Sequence, residues 1–160
     1  TRSALVTRVG QIISVTGSPL RLAVLNGNYY VAVRHRNHLG SMTAAPVGLS
    51  ATPVTVDFRA AATTTWGTSA RKQDGSTMLL WAGNVLRNNS LLYVGDGNDR
   101  DPILALIGGS VPTNSVAAYA LADTNLDGVV KYTGGGNDRD VILANIGGSV
   151  PTATRVEQLP

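Results

Sequence analysis

The stretch GDGNDRDPILALIGGSVPT (95–113) returns 39 residues later as GGGNDRDVILANIGGSVPT (134–152). Sixteen of its nineteen positions are identical in the two copies. The only differences are the pairs Asp96/Gly135, Pro102/Val141 and Leu106/Asn145. A segment repeated this closely predicts a paired structural unit, because two similar copies of a short segment can share one core.

Each copy predicts a loop followed by a short helix. After NDRD, the apolar run places Ile, Leu and Ile at positions i, i+1 and i+4, which is typical of one helix face. Acidic residues before the run suit the positive end of the helix dipole. Natural N-cap residues and glycines that can end a helix flank each run: Asn98 or Asp99 and Gly108 in the first copy, Asn137 or Asp138 and Gly147 in the second. A helix of about two or three turns is expected in each repeat.

The segment DTNLDGVV (123–130), just before the second copy, has the chemistry of a calcium loop. Asp123, Asn125 and Asp127 supply oxygens at positions 1, 3 and 5, and Gly128 at position 6 permits a sharp turn. The turn brings in the backbone carbonyl of position 7, which is Val129. These residues predict the first half of a site for a hard divalent cation.

The closing half requires an insertion. Position 12 of a standard loop is Gly134, which has no ligand, unless the six residues KYTGGG (131–136) are looped out. With that allowance Asn137 takes position 9 and Asp140 takes position 12. The metal ligands predicted for the second repeat are therefore Asp123, Asn125, Asp127, Val129, Asn137 and Asp140.

The first repeat predicts a weaker site. Aligned on the second repeat, its ligand positions carry Asn84, Leu86, Asn88, Asn98 and Asp101, with Asn89 in place of the glycine. Leu86 cannot ligate a hard cation and only Asp101 carries charge, so we expect this copy to bind calcium weakly or not at all. In both copies, acids that only cap helices remain the alternative.

The first sixty residues predict an antiparallel β-sandwich. Six short segments rich in β-branched residues are separated by Gly, Asn, Pro and Ser: 4–9, 11–15, 20–25, 28–36, 42–49 and 53–58. Residues 61–80 are small and polar, which indicates a linker or a long excursion. The expected domains are a β-sandwich at 1–60, the linker, and a duplicated calcium-loop module at 81–160.

The charge is divided between the two halves. Residues 1–80 hold eight basic residues and two acids, a balance of +6, whereas residues 81–160 hold five basic residues and eight acids, a balance of −3. The basic residues are scattered singly along the predicted strands, which disfavours nucleic-acid binding. A basic half and an acidic half favour head-to-tail association of identical chains.

Several other classes find little support. No apolar run approaches the roughly 18–20 residues needed to cross a bilayer, and no signal peptide is visible at Thr1, so the chain is expected to be either a processed form or a cytoplasmic protein. The chain has no cysteine and only two histidines. His35 and His38 would point to opposite faces of a strand, which disfavours a zinc site. No nucleophile elbow or phosphate loop is present, so we do not expect an enzyme.

The motif DTNLDGVV…NDRDVIL (123–143) resembles the dockerin type of calcium-binding half, in which Asp-x-Asn-x-Asp-Gly leads to Asn-x-x-Asp and a helix. Dockerins consist of two such halves, and the resemblance here covers about residues 83–152. The six-residue insertion, present in both copies, departs from that family.

The larger pattern, GNYYVAVRHRNHLGSMTAAPVGLSATPVTVDF (27–58) followed by paired GNDRD elements, resembles the C-terminal region of secreted, adhesin-like surface proteins of Bacteroidota. This resemblance implies an extracellular or cell-surface location. In that pattern a further strand precedes the segment TRSALVTR (1–8), which implies an Ig-like or transthyretin-like sandwich that lacks its first strand.

The sequence thus predicts a non-catalytic, calcium-stabilised extracellular structural protein. We expect it to polymerise into a filament or tube by strand donation between subunits, because an open sandwich edge can accept a strand from another chain. Two alternatives remain open. One is a dockerin-like module that anchors a larger protein to a surface receptor, and the other is a carbohydrate-binding adhesin whose sugar platform is formed by Trp66 and Trp81.

Overall fold

The computed structural model describes residues 2–160 and shows a β-rich chain with two short helices. The helices are α1 (Asp101–Leu106) and α2 (Asp138–Ile146), one in each repeat. The strands have two or three residues each: β1 Leu5–Val6, β2 Ile12–Ile13, β3 Gly27–Tyr29, β4 Ala32–Val33, β5 Ser41–Met42, β6 Val47–Leu49, β7 Lys72–Asp74, β8 Thr77–Leu79, β9 Ser90–Leu92, β10 Ser115–Ala117, β11 Val129–Lys131 and β12 Thr154–Val156. The predicted β-rich class is confirmed.

The strands form six separate antiparallel pairs, in the order β1·β2, β3·β6, β4·β5, β7·β8, β9·β12 and β10·β11. Two of the six predicted strand segments are wrong, because 20–25 and 53–58 contain no strand. Their β-branched side chains lie mostly exposed, and no partner strand runs beside them. High β-propensity alone does not make a strand, since the backbone needs a neighbour with which to exchange hydrogen bonds.

The segment predicted as a linker carries ordered structure. β7 and β8 form a hairpin, and Ala70 and Arg71 before it are buried. The Arg71 guanidinium donates to the carbonyl oxygens of Phe58 and Ala60. Arg71 thus satisfies carbonyl oxygens at and just after the end of segment 53–58, which has no strand partner.

The two repeats complete each other through a pseudo-twofold exchange of strands. β9 at the start of the first repeat pairs with β12 at the end of the second, and β10 at the end of the first pairs with β11 at the start of the second. The registers correspond, because Leu92 lies opposite Thr154 and its equivalent Lys131 lies opposite Ser115. The duplicated sequence is therefore one closed unit, in which each copy supplies half of both ladders.

Equivalent positions of the two copies form the core. Leu91 and Val130, Ile103 and Ile142, and Ile107 and Ile146 are all buried. Each fully buried aliphatic side chain of this size contributes about 1.5–3 kcal/mol. The main cluster joins both helices and adds Val85, which follows the first ligand position of the first loop, and Ala122, which precedes that of the second. The core thus fixes the point from which each loop departs.

The helix ends follow the prediction in the second copy and differ in the first. Asn137 is the N-cap of α2, and its side chain accepts a hydrogen bond from the Asp140 N–H at 2.9 Å. Asn98 accepts the equivalent bond from the Asp101 N–H at 2.9 Å, but the helical hydrogen bonding of α1 begins later, so that Arg100 precedes its first residue. Pro102 explains the difference, because it has no N–H to donate where Val141 has one. Gly108 and Gly147 end the helices with φ of 110° and 131°, as predicted.

Residues 37–41 tie the N-terminal part of the chain to the repeat pair. Leu39 is 1% exposed and packs with Leu91 and Ile146. Asn37 is fully buried, and its side-chain amide donates to the carbonyls of Leu121 and Asp123. In contrast, no residue from Arg2 to Arg36 is buried. Within residues 2–160, neither helix has the length and apolar character needed to cross a bilayer.

Candidate metal centre

The loop of the second repeat folds around its own side-chain oxygens. Asp123 is 2% exposed, and its Oδ1 accepts from the Asp127 N–H at 3.1 Å. Asn125 Oδ1 accepts from the same N–H at 2.9 Å, so the oxygens of positions 1 and 3 lie close together. Asp127 Oδ1 accepts from the Val129 N–H at 2.8 Å. The structure therefore brings Asp123, Asn125 and Asp127 together in one short loop, and Val129 contacts that loop through its N–H rather than through the carbonyl predicted as a ligand.

Gly128 has the role that the loop pattern assigns to it. Its φ is 85°, a left-handed conformation that favours glycine, and its N–H donates to Asp123 Oδ2 at 3.2 Å. Leu126 is also left-handed, with φ of 64°. A non-glycine residue in this conformation is uncommon, so the loop is held there by the hydrogen bonds around it.

Arg36 contacts the loop from outside the repeat. Its Nη2 donates to Asp123 Oδ2 at 2.9 Å, and its guanidinium stacks 3.9 Å from the centre of the Tyr119 ring. Asp123 Oδ2 is thus shared by Arg36 and Gly128, whereas Oδ1 is bonded only within the loop. The positive charge beside a ligand carboxylate lowers the attraction of the loop for a cation.

The predicted closing residues Asn137 and Asp140 lie at the start of α2 and bond to each other. Asn137 Nδ2 donates to Asp140 Oδ2 at 2.8 Å, and Asp140 Oδ1 pairs with Arg139 at 3.1 Å. Asn125 bridges the two halves, because its Nδ2 donates to the Gly136 carbonyl at 2.8 Å. The structure places the closing half next to position 3, but the Asp140 side chain is 57% exposed.

Asp138 is the central acid that sequence reasoning assigned only to helix capping. It is fully buried, its Oδ1 accepts from the N–H groups of Thr124 and Asn125, and its Oδ2 accepts from the Lys131 N–H at 2.8 Å. One carboxylate therefore ties the ion loop, β11 and the start of α2 together. Its pKa is raised because burial disfavours the charged form, although the backbone N–H groups oppose that effect.

Asp99 has the same position in the first repeat. It is fully buried and accepts from the N–H groups of Leu86 and Leu92, which are equivalent to Asn125 and Lys131. Burial likewise raises the pKa of Asp99. A signal for this role was present in the sequence, because this Asp is identical in both copies while the residues at loop positions 1, 3 and 5 differ.

The loop of the first repeat closes on an amide. Asn84 Oδ1 accepts from the Asn88 N–H at 3.0 Å, as Asp123 accepts from Asp127. Asn84 Nδ2, however, donates to the Asn88 carbonyl at 2.6 Å. In the second loop the following N–H, that of Gly128, points at the carboxylate instead. The peptide group after position 5 is thus turned in opposite senses in the two loops.

The remaining first-repeat positions repeat the geometry of the second. Asn98 Nδ2 donates to Asp101 Oδ2 at 2.8 Å, and Asp101 pairs weakly with Arg100 at 3.4 Å. Leu86 is 42% exposed and lines a shallow groove with Asp96, Asn98 and Asp101. The frame of the site is present, but an apolar side chain lies where an oxygen ligand would be required.

The donor set of the second loop suits a hard divalent cation such as calcium rather than a soft transition metal. It offers two carboxylates, one side-chain amide and backbone carbonyls, all of them the hard oxygen ligands that calcium prefers. Among residues 2–160, no group of three or more His, Cys, Asp or Glu side chains converges on one point. A resident ion would therefore depend on the amide and carbonyl oxygens as much as on carboxylates.

Trp81 is unavailable as a sugar platform. Arg155 lies 3.4 Å from the centre of its ring, and its indole N–H donates to the Ser69 carbonyl at 2.9 Å. Trp66 is 44% exposed. The two tryptophans therefore do not offer a matched pair of free ring faces.

Comparison with known proteins identifies no relative of this chain. No protein-family model, curated protein or solved structure matches the chain.

Proposed function

We propose that this chain is a non-catalytic extracellular structural module, stabilised by calcium in its second loop, that assembles with further copies of itself into a filament or tube. The observation that carries the proposal is the exposure of apolar side chains in residues 2–25, which we call the N-terminal ribbon. Seven large aliphatic side chains of the ribbon are more than two-fifths exposed: Leu5 (49%), Val6 (51%), Val9 (64%), Val15 (69%), Leu22 (44%), Val24 (45%) and Leu25 (84%).

The ribbon has no core of its own. Its only paired strands are β1 and β2, with two residues each, and an isolated two-stranded hairpin is at best marginally stable in water. Exposed apolar side chains concentrated in one segment are typical of an interaction site. A partner that covers the ribbon would supply the burial that the single chain lacks.

Charge complementarity supports a second copy as that partner. Arg2, Arg8 and Arg21 are exposed on the ribbon. Four of the five exposed acids lie in or beside the predicted metal loops, at Asp96, Asp101, Asp127 and Asp140, and the fifth is Asp74 in the β7–β8 hairpin. A basic ribbon that docks near the acidic loops of the next copy makes a head-to-tail contact, which can continue into an open filament.

In this proposal the β-sandwich is completed only in the assembly, when a ribbon strand of one copy adds to a strand edge of the next. The repeat pair acts as the dockerin-like calcium module. A loop with two carboxylates, one of them shared with Arg36, matches the weak end of the calcium affinity range, which extracellular modules occupy. An extracellular location agrees with this low charge count.

Assembly is tested by light scattering and electron microscopy of the full chain over a concentration series, with calcium and with chelator. We expect polymers in calcium, and we expect Val6→Lys combined with Val15→Lys to abolish them. The matched control is Val150→Lys, an apolar residue of similar exposure (52%) outside the ribbon. Unchanged melting of the repeat pair in the double variant would show that its fold is intact.

The docking module remains the alternative. A wild-type chain that stays monomeric at high concentration in calcium would overturn self-assembly and favour an anchor that needs a different partner.

A further inference from the structure

His35 and His38 form a contact that the sequence did not predict. An extended strand would place them on opposite faces, but the chain leaves β4 and turns at 36–37, where the His38 N–H donates to the His35 carbonyl at 3.4 Å. The two Nδ1 atoms lie 2.9 Å apart, and the ring centroids lie 4.6 Å apart at an interplanar angle of 79°. The expectation of opposed histidines is therefore wrong.

Asn37 adds an oxygen to this pair. Its Oδ1 lies 3.0 Å from His38 Nδ1. The orientation of the amide is fixed, because Nδ2 donates to the carbonyls of Leu121 and Asp123 at 2.9 and 2.7 Å. The oxygen is thereby held toward the imidazoles. Two ring nitrogens and one amide oxygen face each other within one turn, and both rings are partly exposed.

We propose that His35, His38 and Asn37 form a binding site for a divalent transition metal of tetragonal preference, Cu²⁺ or Ni²⁺. Two nitrogens 2.9 Å apart, each bonded to a metal at about 2.05 Å, subtend an angle of about 90° at the ion. That angle suits square-planar and tetragonal N,O sites, whereas tetrahedral zinc prefers a wider one. An ion bonded to both Nδ1 atoms requires both rings as the Nε2–H tautomer, so the proton that now lies between the two nitrogens passes through solvent to Nε2 of its own ring.

The surroundings favour the neutral form of both imidazoles. Burial lowers the pKa of His35, and it lowers the pKa of His38 to about 3, with the neighbouring ring and Arg36 adding to the effect. Neutral imidazole is the form that binds metals. Arg36 is the cation next to both rings, and its guanidinium is held away on Asp123 and Tyr119.

The site is chemically distinct from the calcium loop, because nitrogen ligands suit copper and nickel while the loop offers only oxygens. Its position gives it a structural role. The turn joins the N-terminal part of the chain to the repeat pair through Asn37, so a bound ion would stiffen that junction.

The test uses the full chain in excess calcium, which saturates the oxygen site. Calorimetric titration with Ni²⁺ and paramagnetic resonance with Cu²⁺ should show one saturable equivalent with two nitrogen ligands. The chain has only these two histidines and no cysteine, so no other imidazole or thiolate competes. His35→Gln should weaken binding at least tenfold, whereas Asp127→Asn in the calcium loop should leave it unchanged.

Ni²⁺ affinity equal in wild type and His35→Gln would overturn the proposal and assign binding to the backbone or the terminal amine. Absence of saturable binding would overturn it as well. Tighter binding of Zn²⁺ than of Ni²⁺ would contradict the tetragonal geometry. His35 is the variant of choice because it is less buried than His38 and makes no hydrogen bond to the Asn37 side chain, whose bonds go to Leu121, Asp123 and His38. Circular dichroism of the variant should match that of the wild type.

Discussion

The loops of the two repeats have the same buried acid and the same capping bond at the helix start, but the peptide group after position 5 points in opposite directions. In the first, Asn84 donates to the Asn88 carbonyl, while in the second, Asp123 accepts from the Gly128 N–H. The donor at position 1 of the first loop and the acceptor at that position of the second loop each match the orientation of the following peptide. The turned peptide requires a left-handed residue, and only the second loop has a glycine there.

The comparison separates what the duplication maintains from what it varies. The buried acids Asp99 and Asp138 and the paired core residues are the same in kind in both copies. The predicted ligand positions differ, since the second loop has the oxygens of Asp123, Asn125 and Asp127, whereas the first has two amides and Leu86. The first loop is closed by a side-chain amide, and the second presents oxygens of the kind that calcium prefers.

The largest expected effect concerns the acids that both loops share. Asp138→Ala leaves the buried N–H groups of Thr124, Asn125 and Lys131 without an acceptor, and each such group costs about 1–3 kcal/mol. We expect a loss of about 3 kcal/mol or more in the free energy of unfolding, measured by urea denaturation. Asp99→Ala should cost a similar amount, since its contacts are equivalent.

Asp140→Ala is the control for this pair, because that side chain is more than half exposed. A loss for Asp138→Ala no greater than for Asp140→Ala would contradict the central role of the buried acid.

The second effect separates the loops by calcium. Calcium at one hundred times its Kd should add about 2.7 kcal/mol to the stability of the folded chain, which calorimetry records as a rise in Tm. Asp127→Asn should abolish the rise but leave the Tm in chelator nearly unchanged, because Asp127 is exposed and Asn keeps one oxygen for the Val129 N–H.

The control in the first loop is Asp101→Asn, which removes the only charge at that loop's predicted ligand positions and should keep the full calcium response. A Tm that is the same with and without chelator in the wild type would show that the folded chain does not bind calcium.

The smallest effect tests the peptide directly. Asn84→Asp places a carboxylate against the Asn88 carbonyl and should cost about 1–2 kcal/mol. Adding Asn89→Gly should recover most of that loss, because glycine permits the left-handed φ that turns the peptide over. A double-mutant cycle in urea measures the coupling. Strict additivity of the two changes would show that the peptide does not respond to the side chain.

The sequence predicted the repeat pair well because its signals are local. Gly108 and Gly147 ended the helices as expected, Asn137 capped α2, and the oxygens of the second loop came together. The roles of Asp138 and Asp99 were missed, since an acid at a helix start normally caps that helix. Here each acid reaches back across about seven to fourteen residues to N–H groups of the loop and strand, a distance that no local pattern contains.

The sequence alone determined the β-rich class, the duplication, and the inequality of the two metal loops, because composition, period and ligand chemistry are properties of neighbouring residues. Tertiary structure alone decided the exchange of strands between repeats, the approach of Arg36 and Asn37 to Asp123, and the contact of His35 with His38. Each of these depends on where distant segments meet, or on a turn where the sequence indicated a strand. Strand partners and buried hydrogen bonds are chosen by the whole fold, since each buried polar group takes whichever partner the packing brings within reach.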